Sequence, residues 1–340
     1  MEVIRAKRAG ACYGVQRALD MANEVIEAGG RAYTLGPLIH NPQVVAELAA
    51  RGAQAVDSVE DIAWSAQDVD VTGGVEGAGG SESAGSAKSA FCGGSSEQAR
   101  GTAEASCPDD AKSSTGSCCT ESGKCAPAVV IRSHGVTPQV LSAVEERGFA
   151  VVDATCPHVS RAQAAAAELA GEGCRVIVLG EAGHPEVEGL TAWAEEAGGK
   201  VDVVAAPEEI PEGLYDPVGV VAQTTQRREN LEAVVAALRE AGLDPIVKNT
   251  ICSATRQRQE AAAELASAVD AMVVIGGRNS SNTTRLAEVC ALTCPRTFHI
   301  ESADELDPAA FAGCRRVGVT AGASTPENQI ASVEAFLRTL

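Results

Sequence analysis

Three cysteines, far apart along this chain, open three copies of one pattern, and that repeat constrains the fold more than any other feature. "CYGVQRALD" from Cys12, "CPHVSRAQA" from Cys156 and "CSATRQRQE" from Cys252 each set a cysteine at the head of a helical stretch. After Cys12 the apolar positions Val15, Ala18, Leu19 and Ala22 recur at helical spacing. Arg17 and Arg161 follow their cysteines by five residues, where the third copy has Gln257 between Arg256 and Arg258. A glycine follows each cysteine by 24 residues, as Gly36, Gly180 and Gly276, and each closes an apolar run: "YTLG", "IVLG" and "VVIG". Four residues further on stand His40, His184 and Ser280, each before a new helix. A second strand in each copy ends in a polar tip: "VVIRSHG" with His134, "GVVAQTT" with Thr224, and "VGVTAGAS" with Ser324. Chance supplies one matching interval easily; three units with the same chemistry at the same offsets mark a repeat.

The one interval that breaks the pattern has a local cause. His184 to Thr224 is 40 residues, Ser280 to Ser324 is 44, and His40 to His134 is 94. The surplus matches a stretch from about 66 to 126 built of Gly, Ser, Ala and acidic residues, such as "GGVEGAGGSESAGSAKSAFCGGSS". It has no sustained apolar period and cannot bury enough surface to offset its ordering entropy, so it reads as a disordered, Cys-rich insertion. Its cysteines, Cys92, Cys107, Cys118, Cys119 and Cys125, fit no standard zinc-finger spacing.

Outside that stretch, short Val/Ile-rich runs alternate with helical ones. Strands are expected at "AYTLG", "AVVIRS", "RVIVLG", "VGVVAQ", "AMVVIGG" and "RVGVTAG". Helices are expected at 42–51, 139–147, 160–171, 228–241, 254–268, 282–292 and 327–340, besides those headed by Cys12 and Pro185. Such alternation implies an α/β chain with parallel, doubly covered sheets. Three pseudo-repeated units follow: 13–155, with the insertion; 156–251; and 252–340 together with 1–12. In parallel sheets the strand ends that feed helix N-termini are where ligands bind. Three units about a pseudo-threefold axis bring three tips and three cysteines to one place.

The formal net charge of −19 argues against nucleic acid or an anionic membrane as partner. No apolar run approaches the roughly 20 residues that cross a bilayer, and "MEVIRAKRAG" has no signal-peptide core. A cytoplasmic setting is expected, where the 12 cysteines stay reduced.

A soft trio of thiolates selects zinc, copper(I) or an iron–sulfur cluster. Structural zinc and ordinary cubanes take four protein ligands, and the repeat supplies three. A cubane held by Cys12, Cys156 and Cys252 leaves one iron without a protein ligand, open to substrate as a Lewis acid. His40 with Asn41, His134, His184, Thr224, Thr225, Ser280, Ser281, Asn282 and Ser324 are short donors at strand or helix ends. Singly each is an ordinary cap; in register they form an anion cradle for phosphate or diphosphate that does not rely on Lys or Arg. Glu186, two residues past His184, is positioned to hold or relay a proton. Cys174, Cys290, Cys294 and Cys314 lie outside the repeat and read as packing or surface thiols. His158 and His299 have no counterparts and read as structural. A hydro-lyase with an open iron, or a non-enzymatic electron carrier or metal store, would share the thiol trio; the former needs no electron donor and the latter no phosphate cradle.

"GACYGVQRA", "LIHNPQVV", "SHGV", "DATCPHV", "GHPEVEG", "QTT", "ICSAT", "NSSNTTRL" and "TAGASTPE" together resemble the 4-hydroxy-3-methylbut-2-enyl diphosphate reductase (IspH/LytB) family over nearly the whole chain except the insertion. The resemblance implies three α/β units around a central iron–sulfur site, with the N-terminal strand completing the third. It implies an iron–sulfur oxidoreductase of the non-mevalonate isoprenoid pathway. Such an enzyme reductively removes an allylic hydroxyl to give isopentenyl and dimethylallyl diphosphates. Carried over by position, Cys12, Cys156 and Cys252 resemble the ligands of a [4Fe-4S] cluster. His40, His134, His184, Ser280, Ser281, Asn282 and Ser324 resemble the diphosphate binders. Glu186 resembles the proton donor, with Thr224 on the substrate hydroxyl and His184 beside them. Reduced ferredoxin or flavodoxin is the electron donor this implies, and the allylic diphosphate the small-molecule partner.

Overall fold

The structure is a computed structural model that describes residues 1–29, 31–62 and 127–340. The segment read as an insertion, with its five cysteines, lies outside the described residues. The chain opens with β1 (Glu2–Arg5), α1 (Tyr13–Glu27), β2 (Ala32–Leu35), α2 (Pro42–Ala50) and β3 (Ala53–Val56). β4 (Ala128–Ile131), α3 (Pro138–Glu146) and β5 (Ala150–Asp153) complete a first sheet of order β3-β2-β4-β5. α4 (Pro157–Gly171), β6 (Arg175–Leu179), α5 (Pro185–Glu196), β7 (Lys200–Val204), β8 (Val218–Ala222), α6 (Arg228–Glu240) and β9 (Ile246–Lys248) form a second, β7-β6-β8-β9. α7 (Ser253–Ala266), β10 (Ala271–Ile275), α8 (Ser281–Ala291), β11 (Thr297–Ile300), β12 (Arg316–Ala321) and α9 (Glu327–Arg338) form the third. Its order is β11-β10-β12-β1, so the first strand of the chain takes the place that β5 and β9 hold elsewhere. Every strand pair is parallel.

The six apolar runs picked out by sequence are the two central strands of each sheet. They are largely apolar because helices cover both faces. In the second sheet Val176 and Val178 face a cluster with Ala162, Ala166 and Leu190. Their alternating neighbours Ile177 and Leu179 face another with Leu231, Val234 and Leu238. The first and third sheets likewise carry one cluster on each face. The helices that Cys12, Cys156 and Cys252 head bury a small-residue stripe, such as Val15, Ala18 and Ala22 in α1 and Ala162, Ala166 and Ala170 in α4. Small residues let these helices lie close to their sheets. Among the described residues no helix is long and apolar enough to cross a membrane.

This order fixes where a ligand binds. In each sheet the chain leaves the two central strands in opposite directions, so their C-terminal ends form a crevice. The three crevices lie beyond β2/β4, β6/β8 and β10/β12. They hold the polar tips that the repeat singles out.

Candidate active site

Each of Cys12, Cys156 and Cys252 is the N-cap of its helix. Each is also pinned by its own backbone to a crevice. The Cys12 N–H donates to the Ala323 carbonyl at 3.1 Å, that of Cys156 to Ser133 at 3.0 Å, and that of Cys252 to Thr224 at 2.9 Å. The acceptors lie just beyond β12, β4 and β8, one from each sheet. The thiol positions are therefore set by the same strand ends that form the crevices. α1 runs close beside Cys156: a Cβ at Gly14 would stand 2.4 Å from the Cys156 Sγ, so only glycine fits there.

The crevices merge into one cavity that opens to solvent. Its wall contains Cys12, Cys156, Cys252, His40, His134, His184, Glu186, Thr224, Thr225, Ser280, Ser281, Asn282 and Ser324; of the donors expected from the sequence only Asn41 stands off the wall, as the cap of α2. His158 also lines it, beside Cys156, although the sequence reading treats it as structural. His299 stays away from the wall and places Nε2 3.0 Å from the Gly276 carbonyl. Cys174, Cys290 and Cys294 are buried in the apolar clusters and Cys314 packs against one.

The three imidazoles pack against one another, His40–His134 tilted and the two pairs with His184 edge-on, with ring centroids 4.3 Å apart for His40–His134, 5.3 Å for His40–His184 and 5.6 Å for His134–His184. Burial holds all three below the ordinary histidine range, and His184 down to about 4. For His134 and His184 the neighbouring His40 adds to the effect, and Arg132 does so for all three. They are neutral at pH 7. His184 Nδ1 accepts the Glu186 N–H at 3.1 Å, which caps α5 and leaves Nε2 to carry the proton. An imidazole in that state donates to an oxyanion and does not release a proton at neutral pH.

Several buried polar atoms find no partner among the described residues: both ring nitrogens of His40, Nδ1 of His134, and both amide atoms of Asn282. Buried polar atoms are costly to leave unpaired, so a set of them on one wall marks the place of a polar ligand. Ser280 caps α8 through Thr283, and Ser281 and Asn282 follow at the head of that helix, an end that favours negative charge. Asn41 caps α2 and donates to the Ser324 carbonyl at 3.0 Å, while Ser324 Oγ donates to the His40 carbonyl at 3.0 Å. These bonds tie the first crevice to the third.

Glu186 is 1% exposed. Its carboxyl accepts the Thr224 N–H at 2.5 Å and the Thr224 hydroxyl at 2.9 Å. Burial pushes it up to about 7, against the pull of both Thr224 bonds, with the Glu181 charge adding to the rise. It therefore holds a proton near neutral pH, within an otherwise uncharged pocket.

Sequence reasoning misses the groups behind the wall. Arg132 and Arg285 act electrostatically on the imidazoles. Arg132 is wedged over Gly36, where a Cβ would meet its Nη1 at 2.6 Å. Arg285 pairs with Glu181 at 2.8 Å, and Glu181 also accepts from the Ser281 hydroxyl. No Lys or Arg is among the residues of the wall, as the sequence leads one to expect, but Arg132 and Arg285 stand behind it. The available signals are position alone: Arg132 directly precedes "SHG", and Arg285 lies one turn into α8.

The donor set also bears on the metal. Three thiols from three helix heads share one cavity wall. Burial raises the Cys156 thiol, opposed by the N–H groups of His158 and Val159, and Cys12 and Cys252 raise it further. Thiols that repel one another as anions call for a cation between them. Among the described residues no three His, Cys, Asp or Glu side chains stand close enough to chelate a single ion. A cubane takes its thiolates on separate corners, which suits three thiols presented from three separate helix heads.

The family profile described as LytB protein matches residues 3–338. A 4-hydroxy-3-methylbut-2-enyl diphosphate reductase of Geobacter sulfurreducens is 43% identical over 330 residues, covering 96% of this chain and 93% of that one. The protein of that name from Citrifermentans bemidjiense is 40% identical over 328 residues, with the same coverage. A solved structure of (E)-4-hydroxy-3-methyl-but-2-enyl diphosphate reductase, the terminal enzyme of the non-mevalonate pathway, aligns with a TM-score of 0.61 at 35% identity, with both chains fully covered. The Plasmodium falciparum E-1-hydroxy-2-methyl-but-2-enyl-4-diphosphate reductase aligns with a TM-score of 0.74 over 87% of its length; at 20% identity it speaks for the fold alone.

Proposed function

This chain belongs to the LytB protein family, and from that premise we propose that it reductively removes the hydroxyl of 4-hydroxy-3-methylbut-2-enyl diphosphate. The products are isopentenyl and dimethylallyl diphosphate. The balance requires two electrons and two protons per substrate, with the hydroxyl oxygen leaving as water. Cys12, Cys156 and Cys252 would hold a [4Fe-4S] cluster, which would supply electrons one at a time and Lewis acidity toward the substrate hydroxyl. Reduced ferredoxin or flavodoxin supplies the electrons from outside.

The chain's own residues supply the rest. His40, His134 and His184 donate neutral N–H groups to the diphosphate oxygens. Ser280, Ser281 and Asn282 at the head of α8, and Ser324 beyond β12, complete the cradle. This holds the allylic end toward the three cysteines. Thr224 orients the substrate hydroxyl, and its own hydroxyl passes hydrogen-bonding to the Glu186 carboxyl. Glu186 carries a proton near neutral pH and delivers it so that the oxygen departs as water, not hydroxide.

One observation carries this reading: a single crevice joins a trio of thiols, a wall of unpartnered neutral donors, and a carboxyl held near pKa 7. The test is anaerobic purification, iron and sulfide counting, and turnover of the diphosphate with and without a reduced electron donor. Iron in the purified chain and product formed only with the donor are expected. Dehydration without a donor makes the enzyme a hydro-lyase, and a chain that takes up no iron ends the reading.

A further inference from the structure

Arg258 lies in α7, six residues after Cys252, and is 5% exposed. Its Nη2 donates to the Gly10 carbonyl at 2.8 Å. Gly10 stands two residues before Cys12, at φ +96, and its own N–H donates to Ala321 at the end of β12. One guanidinium therefore bridges the helix of Cys252 to the loop that delivers Cys12. Its Nε and Nη1 have no partner among the described residues. Burial lowers its proton affinity, while the charges of Cys12 and Cys252 raise it. No Asp or Glu faces it among the groups that shift it. A buried cation without a carboxylate is costly unless something anionic compensates it.

The other two cysteine helices handle their arginines differently. Arg17 in α1 donates to the Thr155 and Asp153 carbonyls, at 3.2 and 3.1 Å, just before Cys156. It repeats the bridging geometry from a half-buried position, and none of its nitrogens is among the buried atoms without a partner. Arg161 in α4 turns back on its own helix, to the Pro157 carbonyl and to His158. Arg258 is the one of the three that is both buried and left with free donors.

We infer that Arg258 is a positioning residue for the cluster: it locks the Cys12 loop to the Cys252 helix and sets a fixed positive charge beside the sulfur ligands that favours the reduced state. This rests on the cofactor reading above. Net charge and hydrogen bonds to sulfur are the levers by which a protein sets such a potential. Each electron added makes the centre more negative, so a neighbouring cation stabilises the reduced form, and removing it shifts the potential downward.

The test compares wild type, Arg258→Gln, Arg258→Lys and Arg17→Gln, each purified anaerobically as the full chain. Fold is followed by circular dichroism, iron and sulfide are counted, and the cluster is titrated spectroelectrochemically. Arg258→Gln is expected to keep the fold and to favour the oxidised cluster by about tenfold more than wild type, about 59 mV for one electron. Arg258→Lys, which keeps the charge, and Arg17→Gln, which removes an outer one, are expected to move it far less. An unchanged potential in Arg258→Gln overturns the inference, as does loss of the fold in that variant or an equal shift in Arg17→Gln. A wild-type chain without iron fails the cofactor reading itself, whereas a loaded wild type with an unmoved variant fails this inference alone.

Discussion

Replacing Glu186 with Gln should weaken the enzyme and strengthen the protein, and the second effect should depend on pH. Burial raises the carboxyl from 4.5 to about 7 in the folded chain. A raised folded-state value means that the folded state binds the proton more tightly than the unfolded one. The stability this contributes is complete below 4.5 and is lost as pH rises through 7. By pH 8 the loss is about 3 kcal/mol, since each pH unit separating the folded and unfolded values is worth ~1.4 kcal/mol. Glutamine cannot ionise and escapes that loss. Its amide cannot accept from both Thr224 groups, which costs about 1 kcal/mol at any pH. The variant should therefore be close to wild type at pH 5 and about 2 kcal/mol more stable at pH 8. Urea titrations of both proteins at both pH values measure the difference. The histidine contributions are common to both chains and cancel. Turnover should fall by about 100-fold or more, the usual worth of a positioned acid. A stability difference that is the same at both pH values would refute the claim that this carboxyl is protonated, and unchanged turnover would remove it from the chemistry.

Four further outcomes follow. Serine at Cys12, Cys156 or Cys252 should abolish iron retention one site at a time, read by iron per chain, with circular dichroism little changed. Gly14→Ala, whose Cβ would stand 2.4 Å from the Cys156 Sγ, should weaken metal binding by about 10- to 100-fold without altering any ligand, checked by competition with a chelator. Phe at His40, His134 or His184 should each weaken inorganic pyrophosphate binding by about 1.5–3 kcal/mol, or roughly 10- to 150-fold, measured by calorimetry. In wild type, kcat/KM should decline as pH rises through about 7, where Glu186 loses its proton.

The strands that sequence makes visible are the ones buried on both faces. "AVVI" of β4, "VGVVA" of β8 and "AMVVI" of β10 are fully buried and read as unbroken apolar runs. The outer strands escape notice because they bury so little: "AQAV" of β3 exposes its middle residues, "KVDVV" of β7 carries Asp202 in a salt bridge, and "IVK" of β9 is three residues long. Site residues at fixed offsets from the repeated glycines are legible for a similar reason, since their position follows from local strand-to-helix geometry. Arg132, Glu181, Arg258 and Arg285 are not. What each does depends on a neighbour from another part of the chain, such as Glu181 from the second sheet meeting Ser281 and Arg285 from the third. His158 escapes the repeat because it has no counterpart at its offset, yet it follows Cys156 closely enough to share the cavity wall.

One physical cause produces both halves of the site. Burial is the largest influence on Glu186 and on all three imidazoles, and it acts in opposite directions, raising the acid and lowering the bases. On the proposed reading, the charge that a diphosphate needs would come from behind, from Arg132 and Arg285 and the amides at the head of α8, not from the groups in contact with it. Admitting the anion should therefore pull Glu186 further toward its protonated form, since its ionisation would add negative charge beside the ligand. Its pKa, followed by carboxyl infrared absorption in wild type against Glu186→Gln, should rise when pyrophosphate binds. A fall would mean that the arginines dominate the carboxyl as well, and that burial is not what holds the proton there.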